Sequence, residues 1–272
     1  MIFTFTECRM RLLAIETSTP AASVAVIEWN GEGNGAWAGE SDGPVSAGRV
    51  RVKPLKPGRP QTETLLETID QLLVECGHSV RELDGFAAAI GPGAYIGVRV
   101  GIATVKGLAM GAGKPVVPVS TLEGLAFRAL EPESSAEVSH ESMTRLTICP
   151  MIDARRGEVY AACYRPDLDG MNLIRQEEAT LTMPADLLER LGGPVFFLGD
   201  GARLHRSAII DRLGPRALFP PAARPDLMEP SAAAVARLAV RGWREGHGVD
   251  PDRLVAIYLR PAVEPVERAM AE

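Results

Sequence analysis

A glycine-punctuated run, Gly91-Pro92-Gly93-Ala94-Tyr95-Ile96-Gly97-Val98-Arg99-Val100-Gly101, limits what this chain can build more than any other segment. Apolar residues 86–90 precede it and a largely apolar stretch continues to Gly113, so the order reads strand, glycine turn, helix. Glycines 97, 101, 107 and 111 fall inside that helix, where each costs about 1 kcal/mol relative to Ala. A close contact must offset that cost. At about 100° per residue, Gly97, Val100, Gly101, Thr104, Gly107, Leu108 and Gly111 share about a third of the helix circumference. The spacing predicts a smooth face for a second helix, either from this chain or from a partner protein.

The rest of the chain reads as two similar halves. Short apolar strands at residues 11–16 and 23–28 flank a Thr/Ser/Pro turn at 17–22. A glycine-rich, irregular stretch, 30–58, follows, with a third strand near 49–52. An amphipathic helix spans 62–76, with Leu66, Ile69 and Leu73 on one side and Gly77 as its stop. A strand at 116–119 and a helix at 121–130 lead into the polar segment 131–144, which reads as a loop between halves. The order then recurs: a hairpin of 146–152 and 158–164 around 153–157, a third strand at 172–179, a helix near 184–191, a strand at 195–198 and helical segments from Arg203. A late amphipathic helix covers 231–245, with Pro230 before it and Ser231 as N-cap. Two successive βββαβα units imply a duplicated α/β architecture, two lobes facing across a cleft. The lobes would span 10–115 and 116–272, with the last helix available to pack back on the first lobe, and residues 1–9 would be a loose extension.

At 272 residues and a net charge of -6, the chain does not hold nucleic acid through a broad basic surface of its own, although a local basic patch fits. Cys8, Cys76, Cys149 and Cys163 are scattered without a CxxC pair, as expected of free thiols in a reducing cytosol. No apolar run is long enough to span a membrane and no signal peptide opens the chain, which predicts a cytoplasmic protein. In a duplicated fold the two hairpin turns face the cleft. Here they read Glu16-Thr17-Ser18-Thr19 and Asp153-Ala154-Arg155-Arg156-Gly157, and their backbone N–H groups could cradle phosphates with Glu16 holding Mg²⁺ through water. Hydroxyl residues also make ordinary turns. Gly199-Asp200-Gly201 reads either as an adenosine loop or as a tight turn. There is no GxxxxGK[ST] loop, no GxSxG elbow and no HExxH pair, and His78, His140, His205 and His247 lie far apart. No catalytic residue and no metal site is expected.

Six segments together resemble the TsaB (YeaZ) family: Leu13-Ala14-Ile15-Glu16-Thr17-Ser18, the run from Gly91 to Arg99, Lys106-Gly107-Leu108-Ala109, Val119-Ser120-Thr121-Leu122-Glu123, Met151-Ile152-Asp153-Ala154-Arg155-Arg156-Gly157-Glu158-Val159-Tyr160, and Tyr258-Leu259-Arg260. The resemblance implies a duplicated actin-like (ASKHA) fold. It also implies a non-catalytic subunit in forming N6-threonylcarbamoyladenosine beside the tRNA anticodon. Such a subunit pairs with a TsaD-like catalytic subunit, helps recruit a TsaE-like ATPase, forms a homodimer when alone, and meets tRNA indirectly through the complex. It needs no cofactor of its own and no membrane, with ATP and Mg²⁺ left to the complex. The implied partner surface is Gly97, Gly101, Thr104 and Leu108, with Leu65, Ile69 and Leu72 from the preceding helix. Glu16, Thr17, Ser18 and Asp153 become a vestigial nucleotide turn. The chain departs from the family pattern at Gln61-Thr62, where His-Ser is common, and at Ala94-Tyr95-Ile96, where Ser-Phe-Thr is common. Two rival readings are an actin-like ATPase or small-molecule kinase using Glu16 and Asp153, and a peptidase, which would lack its nucleophile–base pair.

Overall fold

Strand β1 (Met10–Glu16) is buried along its whole length apart from half-buried Arg11, so it needs neighbours on both edges and cover on both faces. Antiparallel β2 (Ser23–Trp29) takes one edge and β3 (Arg49–Pro54) pairs beyond it. Parallel β4 (Gly85–Ala89) and β5 (Val116–Val119) extend the other edge, giving the order β3-β2-β1-β4-β5. The second half repeats this plan with β6 (Thr147–Asp153), β7 (Val159–Pro166), β8 (Leu173–Thr182), β9 (Val195–Leu198) and β10 (Ala217–Leu218), ordered β10-β9-β6-β7-β8. Each sheet thus has its first strand at the centre, a hairpin on one side and two parallel strands on the other. The duplicated α/β reading holds. This computed structural model describes residues 10–29, 48–131, 146–168 and 172–260. The expected extension 1–9, most of the irregular stretch 30–58 and nearly all of the polar segment 131–144 lie outside the described residues.

Parallel neighbours require crossovers, and these supply the outer layers. Helices α1 (Gln61–Cys76) and α2 (Tyr95–Ala112) cover the outer face of the first sheet. Gly77 closes α1 in the left-handed conformation (φ 72°), which lets the His78 N–H reach the Leu73 carbonyl at 2.9 Å. After the short helix α3 (Thr121–Phe127) and the second hairpin, α4 (Pro184–Arg190), α5 (Asp200–Leu204) and α6 (Arg206–Leu213) cover the outer face of the second sheet. The last helix is α7 (Ala232–Arg244), capped by the Ser231 side chain, which accepts the Ala233 N–H.

The inner layer exchanges helices between halves. Helix α3 follows β5 of the first sheet yet packs on β6, β7 and β8 of the second, whereas α7 comes from the second half and packs on β1, β2, β4 and β5 of the first. One central core therefore joins both sheets and both helices. Helix α7 fits because its alanines 232, 233, 234, 236 and 239 are fully buried and leave little bulk between the layers. Gly85 is similarly forced, since a Cβ there would sit 2.3 Å from the Trp243 ring.

Helix α1 corrects the sequence reading by one residue. Its buried stripe is Leu65, Ile69, Leu72 and Leu73, packed in the outer core with Leu13, Ile15, Val24 and Phe86. Leu66, expected in the core, is 59% exposed instead. Leu65, Ile69 and Leu72, expected on a partner surface, are core residues of the chain itself.

Candidate functional site

The cleft forms where the β1–β2 turn, the β6–β7 turn and a C-terminal strap, residues 254–260, converge around about 670 Å³. Glu16, Thr17, Ser18 and Thr19 of the first turn are all buried. One carboxylate oxygen of Glu16 accepts both the Ser18 N–H, at 2.6 Å, and the Ser18 hydroxyl, at 2.5 Å. Burial of this carboxyl raises its pKa from 4.5 to about 7, against the opposing effect of those two hydrogen bonds. The folded state therefore holds a proton that the unfolded chain releases nearer its ordinary pKa. Stability from this group is full below about pH 4.5 and is lost as pH rises through about 7. Glu16→Gln keeps the acceptor for Ser18 without the ionisation. We expect its unfolding free energy to exceed wild type by about 3 kcal/mol above pH 7, with the gap closing toward pH 5. Urea unfolding at stepped pH checks this, and a gap independent of pH rejects it.

The glycine run exists to seat this turn. Thr17 Oγ1 donates to the Gly97 carbonyl at 2.9 Å, the Ala94 N–H donates to Ser18 O at 2.7 Å, and Gln61 Nε2 donates to Thr19 O at 2.9 Å. A Cβ on Gly97 would lie 2.0 Å from Thr17 O, and one on Gly101 would lie 2.2 Å from Thr17 Oγ1. The expectation of a second helix against these glycines is corrected: Gly97 and Gly101 are buried against the chain's own turn, not offered to a partner. Gly107 and Gly111 are different, because no atom lies within 4 Å of a Cβ built on either. Thr104 and Leu108 are half-buried at the border between the two regions.

The second turn is also held from within. Asp153 accepts the Arg155 N–H at 2.8 Å and pairs with the Arg155 guanidinium at 3.1 Å, and Asp200 accepts the Asp153 N–H at 2.9 Å. Arg155, Arg156 and Gly157 follow one another in the left-handed region at φ 65°, 59° and 79°. Gly199, which leads into α5 at φ 105°, packs against β6 so closely that a Cβ there would lie 2.0 Å from Met151 O. The strap ties the end of β4 to the second turn. The Ile257 N–H donates to Ile90 O at 2.8 Å, while Arg260 donates to Ala154 O and pairs with Glu158, each at 2.8 Å.

The chemistry of the floor follows from these bonds. The Ser18, Asp153 and Arg155 amides, which would cradle phosphates, are taken by Glu16, Asp200 and Asp153. A nucleotide would have to displace carboxylates of the chain and then face them, so Glu16 and Asp153 are poorly arranged to serve an ATPase or kinase. Among the described residues no three of His, Cys, Asp and Glu come together as a metal site. Also among them, no helix is long and apolar enough to cross a membrane. The structure places Ser18 and Asp153 in the cleft lining, with Glu16 and Thr17 buried in the first turn and Gly97 and Gly101 behind it; Thr104 and Leu108 lie outside it. Sequence reasoning missed the strap's role, since residues 254–260 have no periodicity to mark them.

Two five-stranded sheets of one topology, sharing a helical core and a cleft, define an actin-like (ASKHA-type) protein. The sequence model of the family described as "TsaD: tRNA N6-adenosine threonylcarbamoyltransferase" matches residues 52–191. The tRNA threonylcarbamoyladenosine biosynthesis protein TsaB of Escherichia coli K12 is 30% identical over 258 residues, covering 92% of this chain and 95% of that protein. Its counterpart in Bacillus subtilis 168 is 30% identical over 199 residues, covering 72% and 78%. The solved structure of YeaZ from Pseudomonas aeruginosa superposes with a TM-score of 0.66 at 27% identity, over 92% of this chain and 100% of that one. The chain belongs to the TsaB (YeaZ) family.

Proposed function

We propose that this chain is a non-catalytic accessory subunit in forming N6-threonylcarbamoyladenosine on tRNA, working with a TsaD-type transferase in the cytoplasm. The observation that carries this reading, beside family membership, is the cleft floor: three of its turn amides, those of Ser18, Asp153 and Arg155, are satisfied by Glu16, Asp200 and Asp153 of the same chain. The scaffold of a nucleotide enzyme is retained with its ligand positions internally capped.

The partner face in this reading is the outer surface of α1 and α2, which touch each other. Leu66 and Val74 on α1, and Ile96 and Met110 on α2, are large apolar side chains left in water, and Gly107 and Gly111 leave the α2 surface flat beside Thr104 and Leu108. The same face serves self-association when the chain is alone, and the assembled pair recruits a TsaE-type ATPase.

An omission assay tests the function. Threonylcarbamoylation of tRNA by the cognate synthase, TsaD-type transferase and TsaE-type ATPase is expected only when this chain is added. Equal activity without it would overturn the reading.

A further inference from the structure

Resting on the accessory-subunit reading, we propose that the mouth of the cleft contacts single-stranded RNA directly, with bases stacking on Tyr95 and Tyr258 and phosphates met by Arg155 and Arg156. The two tyrosines come from α2 and from the strap, are 54% and 50% exposed, and stand with ring centroids 5.5 Å apart. Arg99 holds them: its guanidinium lies 4.0 Å from the Tyr95 ring centre, and its Nε donates to Tyr258 Oη at 2.9 Å. Rings fixed in this way, about half exposed and with one face of Tyr95 backed by Arg99, form a stacking platform that loses little freedom when a base arrives.

The cations sit at the rim of the opposite lobe. The Arg155 side chain is 83% exposed and rests only on Asp153, and Arg156 is exposed with no ion pair among the described residues. Solvated cations of this kind bind a single phosphate weakly and a polyanion through their sum. Deeper in, Thr19 lines the cleft, with its Oγ1 turned into the protein and without a hydrogen-bond partner among the described residues.

The floor sets the orientation. Three of its amides are occupied by carboxylates, so an anion is disfavoured at the bottom and a neutral ring is not. A ligand that fits brings a base inward and keeps its phosphates at the rim, which is how an unstacked nucleotide within a strand presents itself. The overall charge of -6 means the contact works within an assembly that already gathers the RNA.

The test uses the assembled complex with the TsaD-type transferase and an unmodified tRNA transcript, with fluorescence anisotropy across a potassium chloride series. The paired change Arg155→Gln/Arg156→Gln should raise Kd by about 3–10-fold at low salt and reduce the salt slope by about 1–2. Tyr95→Ala should raise Kd by about fivefold or more, with Tyr95→Phe restoring it. Native mass spectrometry establishes that each variant assembles; if Tyr95→Ala does not, the arginine pair decides. Unchanged Kd and slope in intact complexes would overturn the RNA contact while a positive omission assay left the accessory role standing. A chain dispensable in the omission assay would overturn both.

Discussion

Gly97→Ala should lower the melting temperature by about 6–12 °C, corresponding to about 3 kcal/mol for a chain of this size. The new methyl carbon would sit 2.0 Å from the Thr17 carbonyl oxygen, a contact that no rotamer relieves because both partners are backbone-fixed. Relief requires the turn at Glu16–Thr19 to lift off α2, which would break the Thr17–Gly97, Ala94–Ser18 and Gln61–Thr19 hydrogen bonds. Gly101→Trp should be harsher still and should act as a folding defect, since its Cβ meets Thr17 Oγ1 at 2.2 Å. Circular dichroism melts provide the check. An unaltered melting curve for Gly97→Ala would mean that the turn is not seated as described.

Gly107→Arg combined with Leu66→Asp should have the opposite profile: a folded chain that has lost its partners. Position 107 has open space where a side chain would go, and replacing a helical glycine with Arg contributes up to about 1 kcal/mol of stability. Leu66 is exposed, so Asp there displaces nothing from the core. At an apolar interface the two charges would have to be desolvated, a cost that an Arg–Asp pair at most partly offsets. The melting temperature should stay at or above wild type, association by native mass spectrometry should be lost, and threonylcarbamoylation in the reconstituted system should fall at least about a hundredfold. Retained assembly would move the partner face elsewhere on the molecule. Set beside Gly97→Ala, this pair separates the two roles that one run of helical glycines carries.

Much of the fold was legible because its signals are local. Short apolar runs mark β1, β2, β6 and β7, glycines stop α1 and α2, and the repeated order of elements discloses the duplication. The face of α1 was not, because the twin leucines 65–66 and 72–73 fit two helix phases equally well, and only the packed sheet chooses Leu65 over Leu66 while burying both Leu72 and Leu73. The purpose of Gly97 and Gly101 was hidden for another reason: their contact, Thr17, lies some eighty residues earlier in the chain. Ser18 and Asp153 line the cleft and Glu16 is buried in the same turn, yet type and spacing do not tell whether a carboxylate awaits a cation or already caps a neighbouring amide. That distinction needs the 2.6 Å and 2.8 Å bonds themselves.

The exchange of α3 and α7 sets an order of events on the ribosome. The inner face of the first sheet is covered by residues 232–244, so β1, β2 and β4 emerge and pair long before their cover has been translated. Through most of synthesis the nascent chain carries an apolar sheet face that nothing of its own can shield, the situation in which a growing chain depends on chaperones. The last helix to be made thus decides when the first lobe can finish folding.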